Sequence, residues 1–328
     1  MSEVITASGL RKSFKARGKL VEAVRGVSFS VSQGEIFGFL GPNGAGKTTT
    51  LRMLTTLLPI DAGEATVAGL DVVRAPARVR QRIGYVSQLG GADLQATGRE
   101  NLVLQGRLYG SDRAEVAARV EELLGLLDLA SFADRLVKTY SGGQRRRLDV
   151  ALGIVHQPEV LFLDEPTTGL DPQNRANLWQ HVSALRDRGV TVFLTTHYLE
   201  EADALCDRVM IIDGGTIVAE GTTRELKRDI VGESVVLRVA DEDGALERVS
   251  ALLEQAPFVR STVADDDGQL RCYVDDGAAA LPDLLRRLDG AKIALRSISL
   301  SEPTLDDVFL AKTGHSLRDA GAPGGAGA

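Results

Sequence analysis

The residues best suited to chemistry are Gly41-Pro42-Asn43-Gly44-Ala45-Gly46-Lys47-Thr48, which satisfy the spacing G-x-x-x-x-G-K-[ST]. Glycines at 41, 44 and 46 let the backbone curl so that successive N–H groups face phosphate oxygens. A helix opening at Lys47 adds the positive end of its dipole. Lys47 would then reach the β- and γ-phosphates of a nucleotide, and the Thr48 hydroxyl would ligate Mg²⁺. The plain alternative is a glycine-rich turn ahead of a helix. A strand on one side and a helix on the other argue for the phosphate site.

A second group is the apolar run Val160-Leu161-Phe162-Leu163 ending in Asp164 and Glu165. A strand buried in a sheet presents its last carboxylates at the C-terminal edge, where open α/β sheets bind ligands. Asp164 suits a Mg²⁺ shell, and Glu165, one residue on, is placed to polarise a water for attack on the γ-phosphate. Alone, such a strand end is equally a capped strand; beside a phosphate loop it gains meaning. A third group, Ser141-Gly142-Gly143-Gln144, opens another helix and so makes a second anion-seeking terminus, although a lone Ser cap would explain it as well. Arg145–Arg147 behind it read as a solvated face or local ion pairs, since no aromatics are interleaved as a nucleic-acid surface would need.

The elements that must hold these groups follow from the pattern around them. Val27–Val31 and Glu35–Leu40 read as strands flanking a Gln33–Gly34 turn, the second running into the glycine loop. From Lys47, Leu51, Met53, Leu54, Leu57 and Leu58 keep a helical period until Pro59. Ile83–Val86 is a short strand, and between Gln88 and Pro158 the pattern is mostly helical. Strand Val160–Asp164, helix Arg175–Arg186 and strand Val190–Thr196 restore the alternation that predicts a parallel core sheet with crossover helices. After about Arg228 the order becomes β-α-β-β-α-β, over Ser234–Ala240, Ala245–Gln255, Val259–Ala264, Gln269–Val274, Ala278–Leu288 and Ala291–Ser299, with a turn at Asp265–Gly268. That is the order of a ferredoxin-like unit. A helical patch, Thr304–Thr313, follows, and the Gly- and Ala-rich end Gly321–Ala328 is expected to be mobile. The expected organisation is a nucleotide-binding domain over 1–228 with a helical subdomain at about 89–157, an accessory domain over 229–313 and a tail over 314–328.

Composition bounds the partners. In 328 residues, 45 acidic against 38 basic side chains give a net charge of −7, so no general positive field draws the chain to nucleic acid. Two cysteines, Cys206 and Cys272, far apart and without nearby thiols, exclude a disulfide scaffold. The N-terminus lacks a secretory apolar region, and no apolar run approaches the roughly 18 residues of a membrane span, so a second chain is expected to supply any spanning part.

Taken together, the Gly41–Thr48 loop, Gln88 after YVS, SGGQ at Ser141–Gln144, LFLDEP at Leu161–Pro166, GLD at Gly169–Asp171 and His197 after LTT resemble the ATPases of ABC transporters over about residues 3 to 225. The resemblance implies an α/β fold: a P-loop (RecA-like) core sheet with a helical subdomain, here followed by a small C-terminal ferredoxin-like α+β domain. It implies that Gln88 touches Mg²⁺ and senses the membrane subunit. Asp171 would belong to the loop crossing a dimer interface, His197 would contact the γ-phosphate and steady the water, and Phe14 would stack on adenine. Tyr140 stands where the family usually has Leu. In such proteins two copies pack head to tail, so ATP on Gly41–Thr49 of one, held by Lys47, Thr48 and Thr49, is covered by Ser141, Gly142, Gly143 and Gln144 of the other.

The C-terminal part resembles the daunorubicin-resistance type that partners ABC-2 permeases. The resemblance rests on Tyr198–Asp203, Ala219–Thr222 and Pro303–Leu310. Members of that type often carry Gln where this chain carries His197. The implied function is that of an ATP-hydrolysing homodimer on the cytoplasmic face of the cell membrane, peripheral to a separate permease and exporting a hydrophobic compound or lipid. Nucleic acid is not an expected partner. The alternatives are an importer ATPase with a regulatory ferredoxin-like domain, as in methionine importers, or a soluble ABC ATPase of DNA repair or translation. The single signature and the lack of long heptads or a CxxC hook disfavour the last.

Overall fold

The computed structural model describes residues 2–16, 19–230, 233–239, 245–264, 269–291, 293–301 and 304–314. The turn expected at Asp265–Gly268, Pro303 and all but the first residue of the 314–328 tail lie outside the described residues. The chain forms two compact units, divided between Thr223 and Arg224.

In the first unit, β1 (Glu3–Ala16), β2 (Lys19–Ser32) and β3 (Ile36–Leu40) lead to the glycine loop and helix α1 (Lys47–Leu54). Next come β4 (Ala62–Val67), β5 (Leu70–Asp71), α2 (Pro76–Arg82) and β6 (Ile83–Val86). Helices α3 (Gly98–Leu108), α4 (Arg113–Leu126) and α5 (Gly142–Ile154) make up the helical stretch. Each starts at a side chain able to take up orphan N–H groups: Thr97 with Glu100, Asp112 with Glu115, and Ser141 with Gln144, all reciprocal capping boxes. Then follow β7 (Val160–Asp164), α6 (Pro172–Asp187), β8 (Thr191–Thr196), α7 (Leu199–Leu205), β9 (Arg208–Asp213) and β10 (Thr216–Gly221).

The central sheet runs β10-β9-β3-β8-β7-β6, parallel throughout except for the antiparallel edge strand β10. Every residue of β3, β7 and β8 is buried, which is why these strands read as continuous apolar runs rather than alternating ones. Phe29, Phe37, Phe39, Phe162 and Phe193 fill the core beneath the site, with neighbouring ring centroids 5.4–5.9 Å apart. A second, antiparallel sheet, β2-β1-β4-β5, is an element the sequence reading missed in large part. Only Val27–Val31 of the fourteen-residue β2 reads as strand, because Lys19–Arg25 is mostly exposed and pairs with β1 without a clean apolar alternation.

The second unit contains α8 (Thr223–Ile230), β11 (Ser234–Val239), α9 (Ala245–Leu253), β12 (Val259–Ala264), β13 (Gln269–Val274), α10 (Gly277–Gly290), β14 (Leu295–Ser301) and α11 (Leu305–Thr313). Its sheet order, β12-β13-β11-β14 with every pair antiparallel, is the split β-α-β arrangement of a ferredoxin-like unit. Val235, Leu237, Leu270 and Cys272 pack with Val249, Leu284 and Leu288 of α9 and α10. The alternate residues Arg271 and Tyr273 point the other way and meet α11, where the buried Asp307 accepts from Tyr273 Oη at 2.6 Å and Arg271 Nη1 at 3.1 Å. Burial and the Asp307 carboxylate push the Tyr273 hydroxyl far above its ordinary pKa, so it stays a donor.

Candidate functional site

The glycine loop sits between β3 and α1, at the C-terminal edge of the central sheet. A side chain at position 41 would put its Cβ 2.2 Å from the Ile212 carbonyl oxygen, and one at 46, where φ is +108°, would come within 2.5 Å of the Ala23 carbonyl. Both approaches require glycine. Lys47 is buried and donates through Nζ to the carbonyls of Gly41 (2.7 Å) and Pro42 (3.0 Å), bracing the loop from inside.

The neighbouring strand ends bring the acidic groups to it. Thr48 Oγ1 donates to Asp164 Oδ1 at 2.9 Å, and Thr195 Oγ1 donates to the same oxygen at 2.7 Å. Glu165 follows with φ +45°, a left-handed conformation uncommon for a non-glycine residue. Its N–H is shared between the Thr195 carbonyl and hydroxyl, each at 3.1 Å. The Glu165 carboxylate lies 3.4 Å from Lys47 Nζ and 3.3 Å from His197 Nδ1, the latter off the hydrogen-bonding line, and accepts from Gln88 Nε2 at 3.1 Å. Burial pushes this carboxyl up, but His197 and Lys47 outweigh it and hold Glu165 below the usual carboxylate range. For Lys47 the balance is reversed: burial lowers it, with Glu165 and Asp164 opposing. Thus Lys47, Thr48, Gln88, Asp164, Glu165 and His197, from four separate stretches of sequence, converge on one point.

The other expected residues are placed differently. Ser141 is exposed at the head of α5, where it exchanges hydrogen bonds with Gln144. Asp171 caps α6, accepting from Asn174 N at 2.9 Å and Nδ2 at 2.6 Å, which lower its pKa. These two helix starts adjoin, since a Cβ at Gly143 would strike the Asn174 side chain. Neither Ser141 nor Asp171 bonds to the Glu165 cluster. Phe14 lies on β1 opposite Val21 and is 40% exposed, with Leu20 and Val21 also exposed, so it is not a core aromatic. Its hairpin partner β2 passes the loop at Ala23, against Gly46. Tyr140 is buried and donates to the Phe132 carbonyl at 2.7 Å; it fits because position 98 is glycine, whose added Cβ would lie 2.3 Å from the Tyr140 oxygen.

One expectation is corrected. Arg146 is not on a solvated face but 7% exposed, bonded to the backbone carbonyls of Ser87, Asp164 and Pro166. Its position was legible: Gly143, Arg146, Val150 and Ile154 recur at helical spacing along the buried side of α5. Thr195, which bridges Asp164 and the Glu165 amide, was also missed, and nothing in its sequence neighbourhood marks it out.

Residues 24–168 match the family profile described as ABC transporter, and residues 221–313 match that described as ATP-binding protein DrrA1-3-like, C-terminal domain. The chain is 46% identical to the daunorubicin/doxorubicin resistance ATP-binding protein DrrA of Streptomyces peucetius, over 97% of this chain and 94% of that protein. It is 45% identical to the doxorubicin resistance ATP-binding protein DrrA of Mycobacterium tuberculosis, over 94% and 93%. Among solved structures, the fold is shared with a dimeric post-hydrolysis state of an ATP-binding cassette bound to ADP and Pi, at a TM-score of 0.61 and 24% identity over 66% of this chain and 98% of that one.

Proposed function

The chain belongs to the ABC transporter family and is an ATPase of its ATP-binding class; from that premise we propose that it is the energy-coupling subunit of an exporter, docked to a separate permease of the ABC-2 type. The observation that carries the energy-coupling part of this reading is the convergence of Lys47, Asp164, Glu165, Gln88 and His197 at one strand edge, while Ser141 and Asp171 stand apart; the exporter part is supported by the likeness to the resistance proteins. A single chain therefore has the hydrolytic half of a site and, elsewhere on its surface, an unused anion-seeking helix start.

Backbone N–H groups of Gly41–Thr49 hold the phosphates, with Lys47 released from Glu165 to the β- and γ-phosphates as ATP enters. Phe14 stacks on the base. Thr48 and Asp164 offer a hard-oxygen pair already within 2.9 Å of each other, and with Gln88 they would hold Mg²⁺. Bound there, Mg²⁺ supplies charge neutralisation for the departing phosphate. Glu165 orients and accepts a proton from the attacking water, and His197 steadies it. Ser141–Gln144 of a second copy, with Asp171 at the interface, covers the nucleotide, so ATP closes the homodimer and hydrolysis reopens it.

The permease contact falls on the loop after Gln88 and on α3. Leu89 is 97% exposed, and Leu94, Leu104 and Leu108 also stand in solvent, an apolar surface that a permease segment would cover. No helix among the described residues is long and apolar enough to cross a membrane, which fits a subunit bound peripherally at the cytoplasmic face. The cargo is a hydrophobic drug-like compound or lipid, the drug being supported by the resistance functions in the relatives' names. No observation favours the importer reading.

Glu165→Gln tests the site. It should bind MgATP, lose about 100- to 10,000-fold in turnover and accumulate a closed dimer visible by light scattering. Undiminished turnover would remove Glu165 from its role.

A further inference from the structure

Arg146 lies on α5, on the second turn after the Ser141 cap, and each of its three guanidinium nitrogens donates to a backbone carbonyl. Nε donates to the Pro166 carbonyl at 2.6 Å, Nη2 to that of Asp164 at 3.2 Å and Nη1 to that of Ser87 at 2.6 Å. Asp164 and Pro166 are the residues on either side of Glu165, and Ser87 immediately precedes Gln88. One turn further along the same helix, Asp149 accepts from Gly91 N at 3.0 Å and sits so close to Gly90 that a Cβ there would approach its carboxylate to 2.7 Å.

This arrangement meets a specific need. Glu165 is held at φ +45°, and non-glycine residues in such conformations, at a cost of about 1–3 kcal/mol, persist only where the surroundings over-determine them. The bonds of its own N–H to Thr195 fix one side of the peptide. Arg146 fixes the carbonyls of the two flanking residues, Asp164 and Pro166. The planar fork of a guanidinium reaches three separated carbonyls from three different nitrogens, whereas a lysine must serve all its acceptors from one.

We propose that Arg146 is a positioning residue for ATP hydrolysis, clamping the backbone around Glu165 and ahead of Gln88 so that the two side chains meet in the hydrolytic geometry. The proposal rests on the reading of Glu165 and Gln88 given above. None of the three bonds involves the Gly41–Thr49 loop, and the Asp164 carboxylate is oriented by Thr48 and Thr195, so most of the nucleotide contacts are set without Arg146; among the Mg²⁺ ligands, Gln88 is the one whose placement depends on it.

The test compares Arg146→Lys, Arg146→Ala and Glu165→Gln in the full chain, measuring ATPase kinetics, MgATP affinity by calorimetry and thermal melting. Arg146→Lys keeps the charge and most of the stem. It should melt as a cooperative native fold and keep KM and affinity within about twofold, yet lose about 10- to 100-fold in kcat, as expected when a reacting group is misplaced by roughly an ångström. Arg146→Ala should lose more. Wild-type turnover in Arg146→Lys, or a rise in KM with kcat unchanged, would overturn the proposal. Loss of the native melting transition in both Arg146 variants would overturn it too, by making the residue a fold determinant. If Glu165→Gln is inactive while Arg146→Lys turns over normally, only this proposal falls; if Glu165→Gln turns over normally, the underlying assignment falls first.

Discussion

The Glu165 cluster and the Ser141–Asp171 rim are both built from polar residues at the ends of helices and strands, but they differ in how their bonds are spent. In the cluster, Lys47, Gln88 and His197 turn inward on one carboxylate, and Thr48 and Thr195 turn on the next. At the rim, Ser141 and Asp171 do no more than cap their own helices and are otherwise open to solvent. Polar groups turned away from solvent mostly find partners internally when nothing is bound, His197 Nδ1 excepted, and exposed ones need not. On the proposed reading, one chain keeps the chemistry and presents a lid for a second copy. Helix α5 carries that lid at Ser141 and, one turn on, Arg146, which grips the cluster from behind.

The contrast breaks most visibly at Lys47. Lys47→Ala removes the charge that braces the loop and, on the proposed reading, meets the phosphates; hydrogen bonds to charged groups contribute about 1.5–3 kcal/mol, so MgATP affinity should fall by about 10- to 100-fold or more. Wild-type affinity by calorimetry would mean that the cluster is not the nucleotide site. Ser141→Ala should act on the other side of the comparison. The isolated chain should bind nucleotide as before and melt a few degrees lower, from a lost cap of about 0.5–2 kcal/mol, while kcat at saturating ATP falls by about tenfold for want of a hydroxyl on the partner's nucleotide. Weakened binding to the monomer would place Ser141 in the same half-site as Lys47 and erase the distinction.

The two regions also differ in how far sequence reveals them. The glycine loop is legible because its spacing is a local pattern, with Gly44 at φ +82° and Gly46 at φ +108° in backbone conformations that favour glycine. The parallel strands are legible because burial on both faces leaves unbroken apolar runs. Arg146 escaped because three arginines in succession look like surface, and only the helical phase of α5 sorts the inward one from its neighbours. Thr195 escaped because its role depends on β7 and β8 being adjacent in register, Asp164 beside Thr195, a long-range pairing that no local pattern encodes. Much of β1 and β2 escaped because hairpin pairing, not apolar alternation, makes them strands.

The smallest expected effect concerns the ion pair at the centre of the cluster. Glu165 has its carboxyl held below the ordinary range by His197 and Lys47 against the opposing effect of burial, so its contribution to stability is present above the unfolded carboxylate pKa of about 4.3 and is lost as pH falls through the lower folded value. Lys47 opposes this gain, since its burial lowers the ammonium's pKa and makes charging it costly in the fold. The net effect is therefore small in the nucleotide-free protein, and it is specific in pH. The melting temperature of the wild type should fall more steeply than that of Glu165→Gln between about pH 5 and about pH 3, the two curves converging at the acid end, because glutamine has no proton to gain. Ser141→Ala should run parallel to the wild type across the same range. Parallel curves for Glu165→Gln would show that the inward-turned contacts do not stabilise the charged carboxylate, and the inward turn that separates the cluster from the rim would lose its energetic basis.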